Sequence, residues 1–158
     1  MKNIKAFTLI EVLITALLLS FVLAGVGSVL VISSRESERA MASTGGRMLS
    51  DAVFNIFLDT IRPAKSLSVV SDKKIRVTSE TGSVTEFEFV PASNSLLRNG
   101  KKLVTLQFAN TDAKITALTF TNGTPASKTV LVKMDVLSKT NDFVSSNGFS
   151  SQFYCRNN

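Results

Sequence analysis

A long apolar run near the N-terminus constrains this chain more than any other feature of its sequence. From Phe7 to Ile32 the only charged residue is Glu11. At a rise of about 1.5 Å per residue, a helix of this length reaches roughly 39 Å, which exceeds the roughly 30 Å hydrocarbon core of a bilayer. The run therefore predicts a membrane-spanning helix over residues 7–33, followed by a globular segment over residues 34–158.

The residues of this segment alone allow three interpretations. It is a plain single-pass anchor, a secretory signal, or an anchor whose short leader is removed. For a secretory signal, the small residues 25–27 before Ser28 form a loose cleavage site, but the run is longer than the usual apolar core of about 7–15 residues. The short basic leader, with Lys2 and Lys5, favours an orientation with the N-terminus inside and the C-terminus outside.

Glu11 is the residue that the first two interpretations leave unexplained. A carboxylate at the centre of a membrane helix costs about 2.5–3.5 kcal/mol on insertion scales, so it needs a partner. If the chain is cut after Ala6, the new amine belongs to Phe7, one helical turn before Glu11. Between staggered subunits, such a charge pair at about 4 Å gains about 4 kcal/mol at an effective dielectric of about 20. The pattern therefore predicts a charge pair that sets the register of helix packing.

The residues around this position resemble the N-terminal signal of a known family. The stretch KAFTLIE, residues 5–11, followed by an apolar helix, resembles the class III signal of type IV pilins and type II secretion pseudopilins. The resemblance implies cleavage after Ala6, N-methylation of Phe7, and assembly through Phe7 and Glu11. The chain departs from the family in having Ala6 where glycine is usual and Ser28 where many major pilins have proline.

The resemblance also implies partners, location and domain organisation. The implied partners are a prepilin peptidase, other pilins or pseudopilins, an inner-membrane assembly platform and membrane lipid, and no cofactor or metal is implied. The implied location is the bacterial inner (cytoplasmic) membrane, with a single pass, and then the filament. The head then lies in the periplasm or outside the cell. Residues 1–6 form the leader peptide, residues 7–33 the transmembrane and assembly helix, and residues 34–158 a pilin-like head.

The first part of the head is expected to be a helix that packs on a sheet. Pro63 ends this helix, because proline lacks the N–H that continues the ladder and disfavours helix at Arg62. Gly45-Gly46 is expected to bend or break it, since each glycine weakens a helix interior by about 1 kcal/mol. Apolar positions recur at helical spacing, and the stripe on residues 48–61 is expected to be the face packed on the sheet. These positions are Met41, Met48, Leu49, Ala52, Val53, Ile56 and Phe57.

After the helix the apolar pattern has a period of two, which predicts antiparallel strands. Residues 74–79 and 83–90 form two of them, and Asn99-Gly100 favours a type I′ hairpin. In residues 128–138 alternate positions are apolar, so one face is expected to be buried. Further alternating positions are Val104, Leu106, Phe108, Leu118 and Phe120. About five to seven strands are expected, and with the long helix they give an α+β fold. Loose patterns in this head, including the closing FYCRNN, resemble minor, J-type pseudopilins.

Catalytic chemistry has little basis in this sequence. The chain has no His, and its single Cys, Cys155, is expected to be a small buried residue. A His-based triad and an intrachain disulfide are therefore excluded. A net charge of +6 leaves an anionic partner open. The clustered cations are Lys73, Lys74, Arg76, Lys101 and Lys102.

Three function hypotheses follow from these observations. The first is a structural subunit, a minor pilin or pseudopilin that starts or caps a type IV pilus or a secretion pseudopilus and is a substrate of the peptidase rather than an enzyme. The second is a minor pilin whose basic head binds DNA or a surface ligand, although nucleic acid is the less favoured partner. The third is a conventionally secreted protein, which predicts a mature N-terminus near Ser28 instead of Phe7.

Overall fold

The computed structural model describes most of the chain, namely residues 8–103, 107–108, 111–141 and 143–156. Within the chain, contacts define two compact units, Met1–Ser37 and Glu38–Asn158. The second of these is called the head unit below. The expected strand positions Val104 and Leu106 lie outside the described residues.

A single uninterrupted helix, α1, runs from Leu9 to Ile61. At its C-terminal end the backbone N–H of Arg62 still donates to the carbonyl oxygen of Leu58 at 3.0 Å. Pro63 follows and has no N–H with which to extend the ladder. The prediction that Pro63 ends the helix is confirmed.

The expectation that Gly45-Gly46 bends or breaks α1 is wrong. Both glycines are buried within the continuous helix. A Cβ atom on Gly46 would lie 3.4 Å from Nδ2 of Asn147 and 3.7 Å from the side chain of Ser138. α1 therefore stays helical through Gly45-Gly46, where it packs against the sheet with room at Gly46 for a methyl group but not for a larger side chain. This tertiary packing outweighs the low helix propensity of glycine.

The buried face of α1 also differs in part from the predicted stripe. Met48, at the start of that stripe, is 49% exposed. The buried positions begin with small residues and end with large ones. They are Ala42, Gly45, Gly46, Leu49, Ser50, Val53, Phe57 and Ile61. The start of the buried face was predicted incorrectly from apolar residues alone, because small residues face the sheet at the beginning of this face.

The described strands form two antiparallel sheets. In spatial order the first contains β1 (Ala64–Ser71), β2 (Lys74–Ser79), β3 (Val84–Val90), β4 (Ser95–Arg98) and β5 (Lys101–Lys102). The second contains β6 (Gln107–Phe108), β7 (Thr111–Asn122), β8 (Thr129–Thr140) and β9 (Phe143–Tyr154). A short 3-10 helix at Pro91–Ser93 joins β3 to β4. The strands thus outnumber the five to seven expected, because β1 and most of β9 were not predicted.

The predicted hairpin at Asn99-Gly100 joins β4 to β5. Asn99 and Gly100 have φ angles of 51° and 76°, the positive values that a type I′ turn requires. The Asn99 side-chain oxygen accepts a hydrogen bond from the backbone N–H of Glu86 at 2.7 Å, and the Asn99 N–H donates to the Glu86 carbonyl oxygen at 2.9 Å. These bonds fix the hairpin against the neighbouring strand β3.

The core of the head unit is centred on Phe57 of α1. Its ring makes edge-to-face contacts with Phe87 of β3, Phe120 of β7 and Phe153 of β9, at centroid distances of 5.0, 5.8 and 5.9 Å. The predicted inward face of β8 is buried at each of its four apolar positions, Val130, Val132, Met134 and Val136. The second part of α1 therefore packs against antiparallel sheet, as the predicted α+β fold requires.

Substitutions at Gly46 test the close approach of helix and sheet. We expect Gly46→Ala to raise the thermal unfolding midpoint, because a methyl group there makes ordinary contacts and alanine is about 1 kcal/mol better than glycine in a helix. Gly46→Leu should destabilise the head unit by about 1–3 kcal/mol through overpacking. The measurement is circular dichroism of the full chain in detergent micelles during heating.

The matched control for the Gly46 variants is Ala40→Leu. It adds the same leucine side chain to α1 at an exposed position, so we expect a nearly unchanged midpoint. A Gly46→Leu variant as stable as the Ala40→Leu variant would contradict the close packing.

Candidate functional site

The first turn of α1 is closed by reciprocal hydrogen bonds between Thr8 and Glu11. The backbone N–H and the hydroxyl of Thr8 each donate to Oε2 of Glu11 at 2.9 Å. In return, the backbone N–H of Glu11 lies 3.4 Å from Oγ1 of Thr8 and 3.1 Å from its carbonyl oxygen. This arrangement is a capping box, which satisfies N–H groups that have no partner within the helix.

The cap gives Glu11 a partner that was not predicted from the sequence. The predicted partner of Glu11 is the amine of Phe7, and both Phe7 and Ala6 lie outside the described residues. The signal for the cap was present as Thr8-x-x-Glu11 directly before the apolar run. In the uncleaved chain the carboxylate is therefore already hydrogen-bonded within its own subunit.

The apolar part of α1 exposes large side chains along its whole length. Between Leu9 and Ile32 these side chains are 52 to 81% exposed. The hydroxyl groups of Thr15, Ser20 and Ser28 donate to backbone carbonyl oxygens within the helix, so they are satisfied without water. Within the part of the chain that the structure describes, α1 is the one helix long and apolar enough to cross a membrane.

Two of the clustered cations in the head unit are paired with acidic side chains across β2 and β3. Nζ of Lys74 lies 3.0 Å from Glu86 and 3.5 Å from Glu88, and Arg76 lies 2.8 Å from Glu86. Hydrogen bonds from Lys74 and Arg76 lower the pKa of Glu86, and the bond to Glu86 raises the pKa of Lys74. The charges of this surface therefore neutralise one another locally, which weakens it as a site for phosphates.

Three further cations of the predicted basic cluster have exposed side chains: Lys73, Lys101 and Lys102. Cys155 is buried, as expected, and desolvation raises the pKa of its thiol, which lowers its reactivity. Among residues 8–156, apart from the short undescribed gaps, no group of three His, Cys, Asp or Glu side chains is placed to hold a metal ion.

Comparison with known proteins bears on the N-terminal segment. Residues 1–27 match the family model of the prokaryotic N-terminal methylation motif. No curated protein and no solved structure is significantly similar to the chain. The motif coincides with the capped start of α1 and with most of its apolar part.

The motif and the apolar helix together define a class: the chain has a prepilin-type signal followed by a transmembrane helix. The motif supports a type IV pilin-like or pseudopilin-like precursor. The signal implies processing by a prepilin peptidase and assembly with other pilins, which suits a membrane-anchored protein that enters a filament.

Removing the Glu86 carboxylate tests the ion-pair cluster. A carboxylate whose pKa is lower in the folded state than in the unfolded state stabilises the fold at pH values above the unfolded-state pKa. This stabilisation is lost as the pH falls through the folded-state pKa. We expect Glu86→Gln to lower the unfolding midpoint at pH 7 and to have no effect at a pH below the folded pKa. The measurement is the thermal midpoint of both proteins over a pH series.

Asp112→Asn serves as the control for net charge, because it removes an exposed carboxylate from β7 and leaves the cluster intact. If Glu86→Gln shifts the midpoint equally at every pH, the ion pairs are not the source of its effect.

Proposed function

We propose that the chain is a filament subunit whose precursor is cleaved after Ala6 and which assembles through its N-terminal helix. The observation that carries this proposal is the methylation motif on residues 1–27. The motif coincides with an exposed apolar helix whose single early carboxylate, Glu11, is held in the first turn. An ordinary anchor requires neither the motif nor the carboxylate.

Cleavage creates a charge that the precursor lacks at this position. The new amine belongs to Phe7, and its methylation leaves the positive charge in place. Glu11 is one helical turn away along the same face, and its carboxylate is oriented by Thr8. In the low-dielectric surroundings of packed helices, the Glu11 carboxylate of one subunit pairs with the Phe7 amine of its neighbour. This pair selects one stagger among the many that apolar contacts alone permit.

The subunit is proposed to be a minor one, which starts or caps a type IV pilus or a type II secretion pseudopilus. The loose resemblance of the head to minor, J-type pseudopilins supports this role. The assembly partners are then an inner-membrane platform, membrane lipid and other subunits, with the head in the periplasm or outside the cell. The alternative in which the head captures DNA is less well supported, because Lys74 and Arg76 are paired with carboxylates.

The substitution Glu11→Ala tests the register pair. We expect the variant to insert into the membrane and to be cleaved, but to be lost from the filament. A pair worth about 4 kcal/mol corresponds to a roughly thousandfold change in an association constant. The measurement is immunoblotting of membrane and sheared-filament fractions from cells that carry the complete assembly system.

Ser20→Ala is the control for Glu11→Ala, because it removes another polar group of α1 that bonds only within its own helix. It should enter filaments normally. Filaments that contain the Glu11→Ala subunit at the normal level would show that the pair does not set the register.

Ala6→Leu tests the site of processing. A bulky residue before the cut should leave an unprocessed precursor, heavier than the mature form by residues 1–6. Ala6→Gly restores the residue usual in the family and should be processed completely. Intact-mass measurement of the membrane-extracted protein separates these forms. A natural product that retains residues 1–6, or one that begins near Ser28, would contradict the proposal.

A further inference from the structure

The buried side of β8 changes from apolar to polar along the strand. Its core positions are Val130, Val132, Met134 and Val136. The buried positions that follow on the same side are Ser138 and Thr140. On α1 the core begins at Leu49, whereas the head unit begins at Glu38. The core therefore covers neither the last part of β8 nor the first part of α1 in the head unit.

These two parts lie against each other. A Cβ atom on Gly46 would lie 3.7 Å from Cβ of Ser138. The hydroxyl of Thr140 donates to the carbonyl oxygen of Glu38 at 3.2 Å. Residues 38–46 of α1, called the entry segment below, thus pack on the polar end of the sheet.

The buried polar groups gain few hydrogen bonds from this contact. Oγ of Ser138 is buried and has no hydrogen-bond partner among the described residues. The hydroxyl of Ser50 donates to the Gly46 carbonyl oxygen of its own helix at 3.0 Å. Nδ2 of Asn147 donates to the Ser145 hydroxyl of its own strand at 2.8 Å. These two bonds persist when helix and sheet separate, and Ser138 then bonds to water.

The entry segment also buries little apolar surface. Its buried residues are Ala42, Gly45 and Gly46. The later buried residues of α1 include Leu49, Val53, Phe57 and Ile61. Hydrophobic stabilisation is roughly proportional to the apolar area removed from water. The attachment of α1 to the sheet is therefore weak over residues 38–46 and strong from Leu49 onward.

The contacts at the start of the entry segment are of kinds that water replaces. The Thr140 hydroxyl bonds to water when the Glu38 carbonyl moves away. The guanidinium of the exposed Arg39 lies 5.0 Å from the Phe143 ring. A cation–π contact at an exposed site contributes little.

We infer that the entry segment is a conformational joint, which separates from β8 and β9 as a unit while α1 from Leu49 to Ile61 stays packed in the core. Local opening occurs where few buried apolar contacts have to break. Separation moves the first fixed point of the head unit along α1 from Glu38 to Leu49. The groups that it uncovers on β8, Ser138 and Thr140, are polar, so the open state exposes little apolar surface.

Thiol labelling at two positions of α1 tests the inference. Ala42→Cys and Val53→Cys each place a thiol at a buried position, the first in the entry segment and the second in the core. Both are made together with Cys155→Ala, which removes the native thiol. The full chain in detergent micelles is treated with a maleimide, and each rate is divided by the rate in denaturant. The thiol in the entry segment should react about tenfold faster or more.

A matched pair on β8 distinguishes separation from fraying of the helix. Ser138→Cys faces the entry segment, and Val132→Cys lies in the core on the same strand. β8 is bonded to β7 and β9 on its two sides, so a thiol at position 138 becomes accessible when the helix leaves the sheet. Its normalised rate should match that of Ala42→Cys, because one opening exposes both, and should exceed that of Val132→Cys about tenfold or more.

The unpartnered hydroxyl provides a third arm. Ser138→Ala removes a buried polar group that only the open state satisfies, so it should slow the labelling of Ala42→Cys about fivefold. The control is Ser146→Ala, which makes the same change at an exposed position of β9. It should leave the labelling rate unchanged.

Hydrogen exchange of the unmodified chain in micelles repeats the comparison without any substitution. A detached helix segment that contains two glycines frays, so amides of residues 42–46 should exchange about tenfold faster or more than those of residues 53–57. This measurement decides the matter where a cysteine variant does not fold.

Several results would overturn the inference. Equal labelling or equal exchange in the two parts of α1 means that the entry segment is held as firmly as the core. Fast labelling at position 42 with slow labelling at position 138 means that the helix reacts without leaving the sheet. A labelling rate that Ser138→Ala does not change removes the polar contact as the cause. None of these results affects the proposed function, because all concern the isolated subunit.

Discussion

One helix of this chain must satisfy two different surroundings, and the rest of the structure depends on that constraint. In hydrocarbon every backbone polar group needs a partner within the helix, and every side of the helix has to be apolar. In the head unit only one face is buried, so polar side chains occupy the others. The single carboxylate of the apolar part occurs in the first turn, where free N–H groups need an acceptor. Elsewhere in that part the same carboxylate would lack a partner.

Elements with a strong local signal were predictable from the sequence. Asn99-Gly100 adopts the positive φ values that few other residue pairs tolerate, and Pro63 removes an N–H whatever its surroundings. The inward face of β8 was predictable because its apolar residues alternate without a break. The continuity of α1 through Gly45-Gly46 was not, because it depends on the packing of the helix against the sheet. Local propensity describes the cost of glycine in a helix but not this packing.

Most of strand β9 in the head unit and the hydrogen bonds between Thr8 and Glu11 were not predicted, for different reasons. β9 alternates phenylalanine with serine and asparagine on its half-buried side, so its apolar signal is weaker than that of an interior strand. The motif around Glu11 was recognised because it is continuous in sequence. The hydrogen bonds between Thr8 and Glu11 were not predicted, because a carboxylate in an apolar run was expected to pair with a positive charge. The partner that the structure provides is only three residues away.

The increase in side-chain size along the buried face of α1 has a mechanical consequence. At the N-terminal end of this face, Ala42, Gly46 and Ser50 offer few atoms for dispersion contacts. Opposite them, the buried Ser138 hydroxyl has no hydrogen-bond partner among the described residues. At the other end, Phe57 is held by three aromatic rings. Tension applied to α1 from its N-terminal side therefore meets the contacts of Glu38 and Arg39 with Thr140 and Phe143 first. It then reaches the small residues from Ala42 to Ser50, and it loads the aromatic contacts of Phe57 last.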